Sequence, residues 1–466
     1  MTVPDILARP GHAIAEDVNS GRLSARLVAE AALAAIAAGN GRLGAFTDIT
    51  AERALAEASR VDARIAAGET LPLAGVPYSV KNLFDVEGIT TRAGSKINRD
   101  RPPAARDATL IERMGAAGAV LVGAVNMGEY AYDFTGENAH DGASLNPHDP
   151  SRMSGGSSGG SGTSVAAGMA ALSLGSDTNG SIRVPASFCG LYGLKPTFGR
   201  LSRARTFPFV HSLDHLGPLA RSPRDLALVL DALQGPDADD PALIGRPAVA
   251  AVADLRRGVG DLRIAVAGGY FRNGAGPEAL AAVAHVAGAL GAAREVEIPI
   301  AAAARAAAYL ITTSESSALH LDRLRSRAGD FDPDTRDRFL SGAMVPAAWY
   351  LSAQRLRAAA KAAFASLFET VDVILAPATP FPALKSGTRT VEIGGATLPA
   401  RPNIGIFTQP ISFVGLPVVA VPVWLPGAAL PIGVQVVAPA WREDIALRVA
   451  EALHQSGATS APVAQT

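Results

Sequence analysis

Gly155-Gly156-Ser157-Ser158-Gly159-Gly160 and Gly175-Ser176-Asp177-Thr178-Asn179-Gly180-Ser181 are two glycine- and serine-rich turns on either side of an apolar, helix-like stretch, and they set Ser157 and Ser181 24 residues apart. Hydroxyls on tight turns are exposed. Glycines let backbone N–H groups point at a ligand, and converging N–H groups hold a developing oxyanion. A Gly/Ser run such as Ser154 to Ser161 also reads as a flexible linker. A linker ends in a domain boundary, however, and this run leads straight into Gly162-Thr163-Ser164-Val165-Ala166-Ala167, which suits a buried helix.

Working outward, Val76 to Val80 leading to Lys81 and Ala119 to Gly123 read as short buried strands, with a helix at Asp107 to Gly118 between them. Upstream, Ala13 to Ala38 reads as one or two amphipathic helices, with Ser24 as N-cap. Downstream, strands are expected at Arg263 to Ala267, Val371 to Leu375, Val418 to Val423 and Ile432 to Val437. Helices are expected near Arg224 to Leu233, Pro277 to Leu290, Ala347 to Phe368 and Glu443 to Leu453. The alternation predicts an α/β protein built on a large, mostly buried sheet. The expected organisation is one domain over 1–466, with a catalytic core at about 65–220, a Gly/Pro/Asp-rich surface connection at about 235–260 and a frayed tail at 458–466.

Composition narrows the class of partner. With 48% hydrophobic and 18% charged residues, the 466-residue chain can bury a large core. Forty-two basic against 43 acidic side chains leave no net field for nucleic acid or an anionic membrane, so a small-molecule partner is expected. The single cysteine, Cys189, excludes an internal disulfide and fits a reducing cytoplasm; a packing role suits it better than a nucleophilic one. No basic-then-apolar leader is apparent, and alanine runs such as Ala302 to Ala308 are too short or too broken by charge to span a bilayer.

Within the second turn, Ser181 is the candidate nucleophile, and the amides of Thr178, Asn179, Gly180 and Ser181 are the candidate oxyanion hole. Two rivals need other residues. His211 and His215, with Asp214 between them, would suit a metal only on a helix, which Pro208, Gly217 and Pro218 oppose; no metal or other cofactor is expected. A Ser-His-Asp triad would need a strand-to-helix elbow. Gly155-Gly156-Ser157-Ser158-Gly159 matches the Gly-x-Ser-x-Gly string, but no strand is predicted directly before it.

These turns, together with Gly75-Val76-Pro77-Tyr78-Ser79-Val80-Lys81, Ile182-Arg183-Val184-Pro185-Ala186, Gly190 to Thr197 and Ser212 to Pro218, resemble the amidase signature family in order and spacing from about Ala13 to Leu453. The resemblance implies the amidase signature fold, a large mixed sheet covered by helices on both faces. It also implies a Ser-cisSer-Lys triad: Ser181 as nucleophile, Ser157 as bridging serine on a cis peptide, Lys81 as base. To accept a proton at neutral pH Lys81 must be neutral, and desolvation at an apolar strand end lowers a lysine pKa by up to about 3–5 pH units. Taken alone, Lys81 reads as an ordinary solvent-exposed strand-end lysine.

The family spans many amides, so substrate identity rests on other positions. The N-terminal half is similar to the glutaminase subunits of tRNA-dependent amidotransferases. In those, the resemblance places an Asp that holds the glutamine amino group where this chain has Gly405. A site built to pair an ammonium should not delete its counter-ion. Asn179, in place of the more usual glycine, and the segment Arg401 to Pro417 look most like the branch that hydrolyses 1-carboxybiuret in cyanuric acid degradation. That likeness implies ammonia release to give urea-1,3-dicarboxylate. Arg338 lies where the glutaminase subunits place a carboxylate-binding arginine, although it also reads as a surface helix arginine near Arg336. Gly405 and Ser158 complete the candidate substrate-binding set. Both branches imply a small helical partner subunit, with a homodimer or heterotetramer as the assembly. A generalist aryl or aliphatic amidase with a wide apolar pocket and a non-catalytic scaffold are the remaining readings; intact Lys81, Ser157 and Ser181 oppose the scaffold.

Overall fold

In the computed structural model, which describes residues 3–465, thirteen strands are distributed between one large sheet and a small hairpin. The sheet contains β1 (Phe46–Ile49), β2 (Pro77–Lys81), β3 (Val120–Val125), β4 (Leu172–Asp177), β5 (Tyr192–Lys195), β6 (His215–Ala220), β7 (Ile264–Ala267), β8 (Arg294–Val296) and β9 (Val373–Pro377). The hairpin is β10 (Thr390–Ile393) and β11 (Ala396–Pro399), and the sheet is completed by β12 (Val418–Val423) and β13 (Ile432–Val437). The spatial order is β1-β3-β2-β4-β6-β5-β12-β13-β9-β7-β8. Parallel pairs (β2 with β3 and β4, β7 with β8 and β9) alternate with antiparallel ones, so the sheet is mixed, as expected.

Every residue of β2, β3, β4, β5, β6, β9, β12 and β13 is buried. Successive side chains point to opposite faces, so both faces of the sheet are covered. The helices Gly159–Ala166 and Arg183–Cys189 pack on the central strands, and Pro277–Ala289 and Glu443–Gln455 on the second half. Ser24 caps the helix Ala25–Leu43 by accepting from the Leu27 N–H at 3.1 Å, as its sequence position suggests.

The structure departs from the sequence reading in several places, and β1, β5, β6 and β8 are strands that reading does not expect. The alanine run Ala302–Ala308 is the start of a 27-residue helix, Ala301–Arg327. Strand β4, which carries the second serine turn, is absent from the strands expected. The tail is docked rather than frayed: the Ala464 N–H donates to the carbonyl of Ala166, the last residue of its helix, at 2.8 Å, and Thr459 Oγ1 meets the Tyr192 hydroxyl at 2.8 Å. That carbonyl lacks an intrahelical donor, and the tail supplies one. Thr466 lies outside the described residues. Residues 235–260 run over the surface and contain one short helix, Ala251–Asp254. Among the described residues no helix is long and apolar enough to cross a membrane.

Candidate active site

Strand β2 ends at Lys81, and its neighbour β4 runs parallel to it, Ser79 opposite Ser173 and Val80 opposite Leu174. Both strands therefore deliver their C-terminal ends to the same edge of the sheet. Ser79, two residues before Lys81 and so on the same face, joins Ser164 and Ser173 at 3.0 and 2.9 Å, tying β2 to β4 and to the helix Gly159–Ala166. The loop before that helix holds Ser157, whose peptide bond to Gly156 is cis. Gly155 is needed there: its φ is +82°, and a Cβ would stand 2.9 Å from the Pro185 backbone.

Lys81 Nζ donates to Ser157 Oγ at 2.6 Å and to Ser176 Oγ at 2.9 Å, and the lysine is completely buried. Burial lowers its pKa from 10.5 to about 7, against the opposing pull of the Asp214, Asp177 and Asp133 carboxylates. The solvent-exposed lysine of the plain sequence reading is thus replaced by one that is substantially neutral at physiological pH.

The turn after β4 is braced from beneath. Asp177 and Arg183 form a fully buried two-point pair, Nε to Oδ2 and Nη2 to Oδ1 both at 2.9 Å, and Arg183 reaches Gln435 Oε1 at 2.6 Å and the Thr408 carbonyl at 3.1 Å. Burial alone would raise the Asp177 carboxyl; the Arg183 guanidinium reverses that and holds it well below the usual range. His215 approaches the Asp177 carbonyl through Nδ1 at 3.0 Å, and burial keeps its ring neutral. Above this base the backbone amides of Thr178, Asn179, Gly180 and Ser181 have no hydrogen-bond partner among the described residues. They are free donors beside the Ser181 hydroxyl. Gly180, at φ +141°, lies against Thr408, whose Oγ1 a Cβ would overlap.

Ser181 lines a small cavity together with Thr178, Asn179, Tyr132, Asp133, Phe134, Thr312, Gln409 and Arg338. Arg338, half-buried, is therefore brought to the cavity that Ser181 lines. Its guanidinium lies 3.8 Å over the Tyr132 ring and Nη1 donates to the Tyr132 carbonyl at 3.0 Å; among the described residues no carboxylate pairs with it. Glu129, fully buried, anchors its helix (Pro333–Gly342) by accepting from the Asp332 N–H at 2.7 Å and Thr335 Oγ1 at 3.2 Å. Asp133 is not a free anion: it pairs with Arg401 and accepts from the Thr135 and Gly136 amides at 2.8 and 2.7 Å.

Two candidate substrate contacts are not brought to the cavity. Ser158 is fully buried, with its hydroxyl on the Ser176 backbone at 3.2 and 3.3 Å, where it fastens the first turn to β4. Gly405 is covered by Phe134: a Cβ there would stand 2.5 Å from the ring's Cζ. The ring occupies the space that an aspartate at 405 would need.

Several participants escape sequence reasoning. Ser176, the second partner of Lys81, sits inside the quoted turn and only the strand pairing distinguishes it. Thr312 belongs to the long helix that the sequence reading omits, and Tyr132 to a loop without a motif. Cys189 is buried, its thiol donating to the Ser154 carbonyl at 3.2 Å. His215 lies on β6 and His211 in the preceding loop, and no metal-binding cluster of His, Cys, Asp and Glu occurs among the described residues.

Comparison with known proteins gives this geometry a family. Residues 27–447 match the Amidase family model. The chain is 56% identical over 447 residues to the 1-carboxybiuret hydrolase subunit AtzE of Pseudomonas sp. (strain ADP), covering 95% of this chain and 98% of that protein. It is 37% identical over 469 residues to the A-subunit of glutamyl-tRNA(Gln) amidotransferase from Koribacter versatilis (strain Ellin345), covering 94% and 96%. A solved structure described as a vestigial protein complex that reveals the evolutionary origins of an s-triazine catabolic enzyme superposes with a TM-score of 0.96 at 55% identity, over 97% of this chain and 99% of that one. The chain belongs to the Amidase family and is a hydrolase acting on amide C–N bonds.

Proposed function

We propose that this chain releases ammonia from 1-carboxybiuret, giving urea-1,3-dicarboxylate, with Ser181 as nucleophile, Ser157 as proton bridge and Lys81 as base. The observation that carries the substrate reading is the charge balance around Ser181. The cavity presents the unpaired guanidinium of Arg338, while its one carboxylate, Asp133, is occupied by Arg401. An anion without an ammonium group fits that balance; glutamine, whose amino group needs a free carboxylate, does not. Phe134 over Gly405 points the same way. The small size of the cavity also disfavours bulky aryl amides. The high identity to the AtzE protein supports the assignment.

Neutral Lys81 takes the proton of Ser157 while Ser157 takes that of Ser181, whose Oγ attacks the terminal carbonyl carbon. The oxyanion rests on the Thr178 to Ser181 amides. The proton then returns through Ser157 to the leaving nitrogen, the C–N bond breaks and ammonia departs, leaving a carbamoyl-type ester on Ser181. Water repeats the relay: its proton passes through Ser157 to Lys81 as its oxygen attacks the ester, and the Ser181–acyl bond breaks as that proton returns through Ser157 to Ser181 Oγ, releasing the dicarboxylate. We further propose a small helical partner subunit, in a heterotetramer or homodimer of the catalytic chain; the similar solved structure is described as a complex.

The test is ammonia release from 1-carboxybiuret, biuret, glutamine and a simple aryl amide, with and without a co-expressed small partner and with Ser181→Ala as blank. Activity concentrated on 1-carboxybiuret is expected. Preference for glutamine would overturn the substrate assignment.

A further inference from the structure

We propose that the side chain of Asn179 is the hydrogen-bond acceptor for the ureide N–H that flanks the carbonyl under attack, so that this residue selects ureides over amides with carbon at that place. The proposal rests on the ureide reading above. Asn179 stands two residues before Ser181 on the same turn and lines the same cavity, so the atoms next to the attacked carbonyl fall within its reach. It is pinned at both ends. Its Nδ2 donates to Thr312 Oγ1 at 2.9 Å, and its backbone carbonyl accepts from Thr408 Oγ1 at 2.6 Å.

With Nδ2 committed, Oδ1 is turned the other way, and it has no partner although the residue is only 8% exposed. Buried carbonyl acceptors are almost always paired, and one left over on a residue that lines a reactive cavity marks a ligand contact. The chemistry of that contact is specific. Oδ1 is an uncharged acceptor, suited to an uncharged N–H rather than to an ammonium, and a methylene in the same place would leave it unpaired. Thr312 acts through Asn179 and is a positioning residue. A hydroxyl-free side chain there would release the amide to rotate.

The experiment compares kcat/KM for 1-carboxybiuret with that for an analogue carrying CH2 in place of the N–H next to the terminal carbonyl, in the wild type, Asn179→Ala and Thr312→Val. The quantity read is the change in preference between proteins, in which the intrinsic reactivities of the two compounds cancel. Loss of one buried hydrogen bond predicts that Asn179→Ala reduces the preference for the ureide by about 10- to 100-fold, with Thr312→Val between it and the wild type. Thermal melting of each variant shows whether the fold is intact. Equal losses on both compounds, or an unchanged preference, would overturn the proposal while leaving the ureide reading intact. A wild type inactive on 1-carboxybiuret but active on glutamine would overturn both.

Discussion

The pH dependence of the reaction follows from the burial of Lys81. Burial brings its pKa from 10.5 to about 7. At about 1.4 kcal/mol per pH unit this difference is about 5 kcal/mol against the ammonium form. If neutral Lys81 starts the relay, kcat/KM falls about tenfold per pH unit below 7, is about 50-fold lower at pH 5 than at pH 7, and levels off above pH 8. Asp214→Asn removes the first of the carboxylates that oppose the shift, so the acid limb should move to lower pH. Lys195 also titrates near 7, through burial and then the Arg183 charge, but it hydrogen-bonds the Pro196 carbonyl rather than a serine of the site, so Lys195→Met should leave the limb in place. Stability carries the opposite signature to a salt-bridged lysine. The unfolded chain keeps the Lys81 proton up to about pH 10.5 and the folded chain only to about 7, so the lysine destabilises the fold most below pH 7, and this cost fades as pH rises to 10.5. Lys81→Met should therefore raise Tm at neutral pH while lowering activity by about 10²- to 10⁴-fold. Ammonia release from pH 5 to 10, paired with thermal melts, reads both. A rate that keeps rising to pH 10, or one that is flat from 5 to 8, would rule out neutral Lys81 as the base.

Other consequences are equally direct. Arg338→Met should raise KM for a carboxylate-bearing ureide by about 10- to 100-fold with a smaller change in kcat, and Arg338→Lys should recover only part, because the planar stack on Tyr132 is lost; steady-state kinetics decide. Arg183→Met leaves the Asp177 carboxylate buried without its partner and should cost about 3–5 kcal/mol of stability, measured by urea denaturation. Gly405→Asp alone should destabilise by about 1–3 kcal/mol through overlap with Phe134 and confer no glutaminase activity. Adding Phe134→Ala should clear the space and raise glutamine hydrolysis; if Gly405→Asp alone hydrolyses glutamine, the ring is not the obstacle.

Much of this arrangement is legible in the residues, for reasons the structure makes plain. Val418–Val423 and Ile432–Val437 read as strands because they are short, valine-rich and mostly apolar runs, and both are buried on two faces. Leu172–Asp177 escapes because its inward positions are small and polar. Ser173 is satisfied by Ser79, and Gly175 lets the strand pass Ser158, where a Cβ would stand 2.9 Å from the serine hydroxyl. The helix Ala301–Arg327 escapes because its alanines carry no marked apolar stripe, and its Thr312 reaches the site only through tertiary packing. Arg338 can be placed by likeness alone. That it lies unpaired on Tyr132 depends on the loop Glu129–Tyr132 and the helix Pro333–Gly342, which are brought together by Glu129. Gly405 stands out in the sequence for what it lacks, and only the position of Phe134 explains why the missing carboxylate leaves no hole.

Ser181 is tested as the nucleophile most directly by mixing the enzyme with 1-carboxybiuret, quenching in acid within a turnover, and mapping the covalent adduct by peptide mass spectrometry. A mass equal to the substrate less ammonia is expected on the peptide carrying Ser181, absent in Ser181→Ala. An adduct on Ser157 or Ser176, or full turnover by Ser181→Ala, would contradict that role.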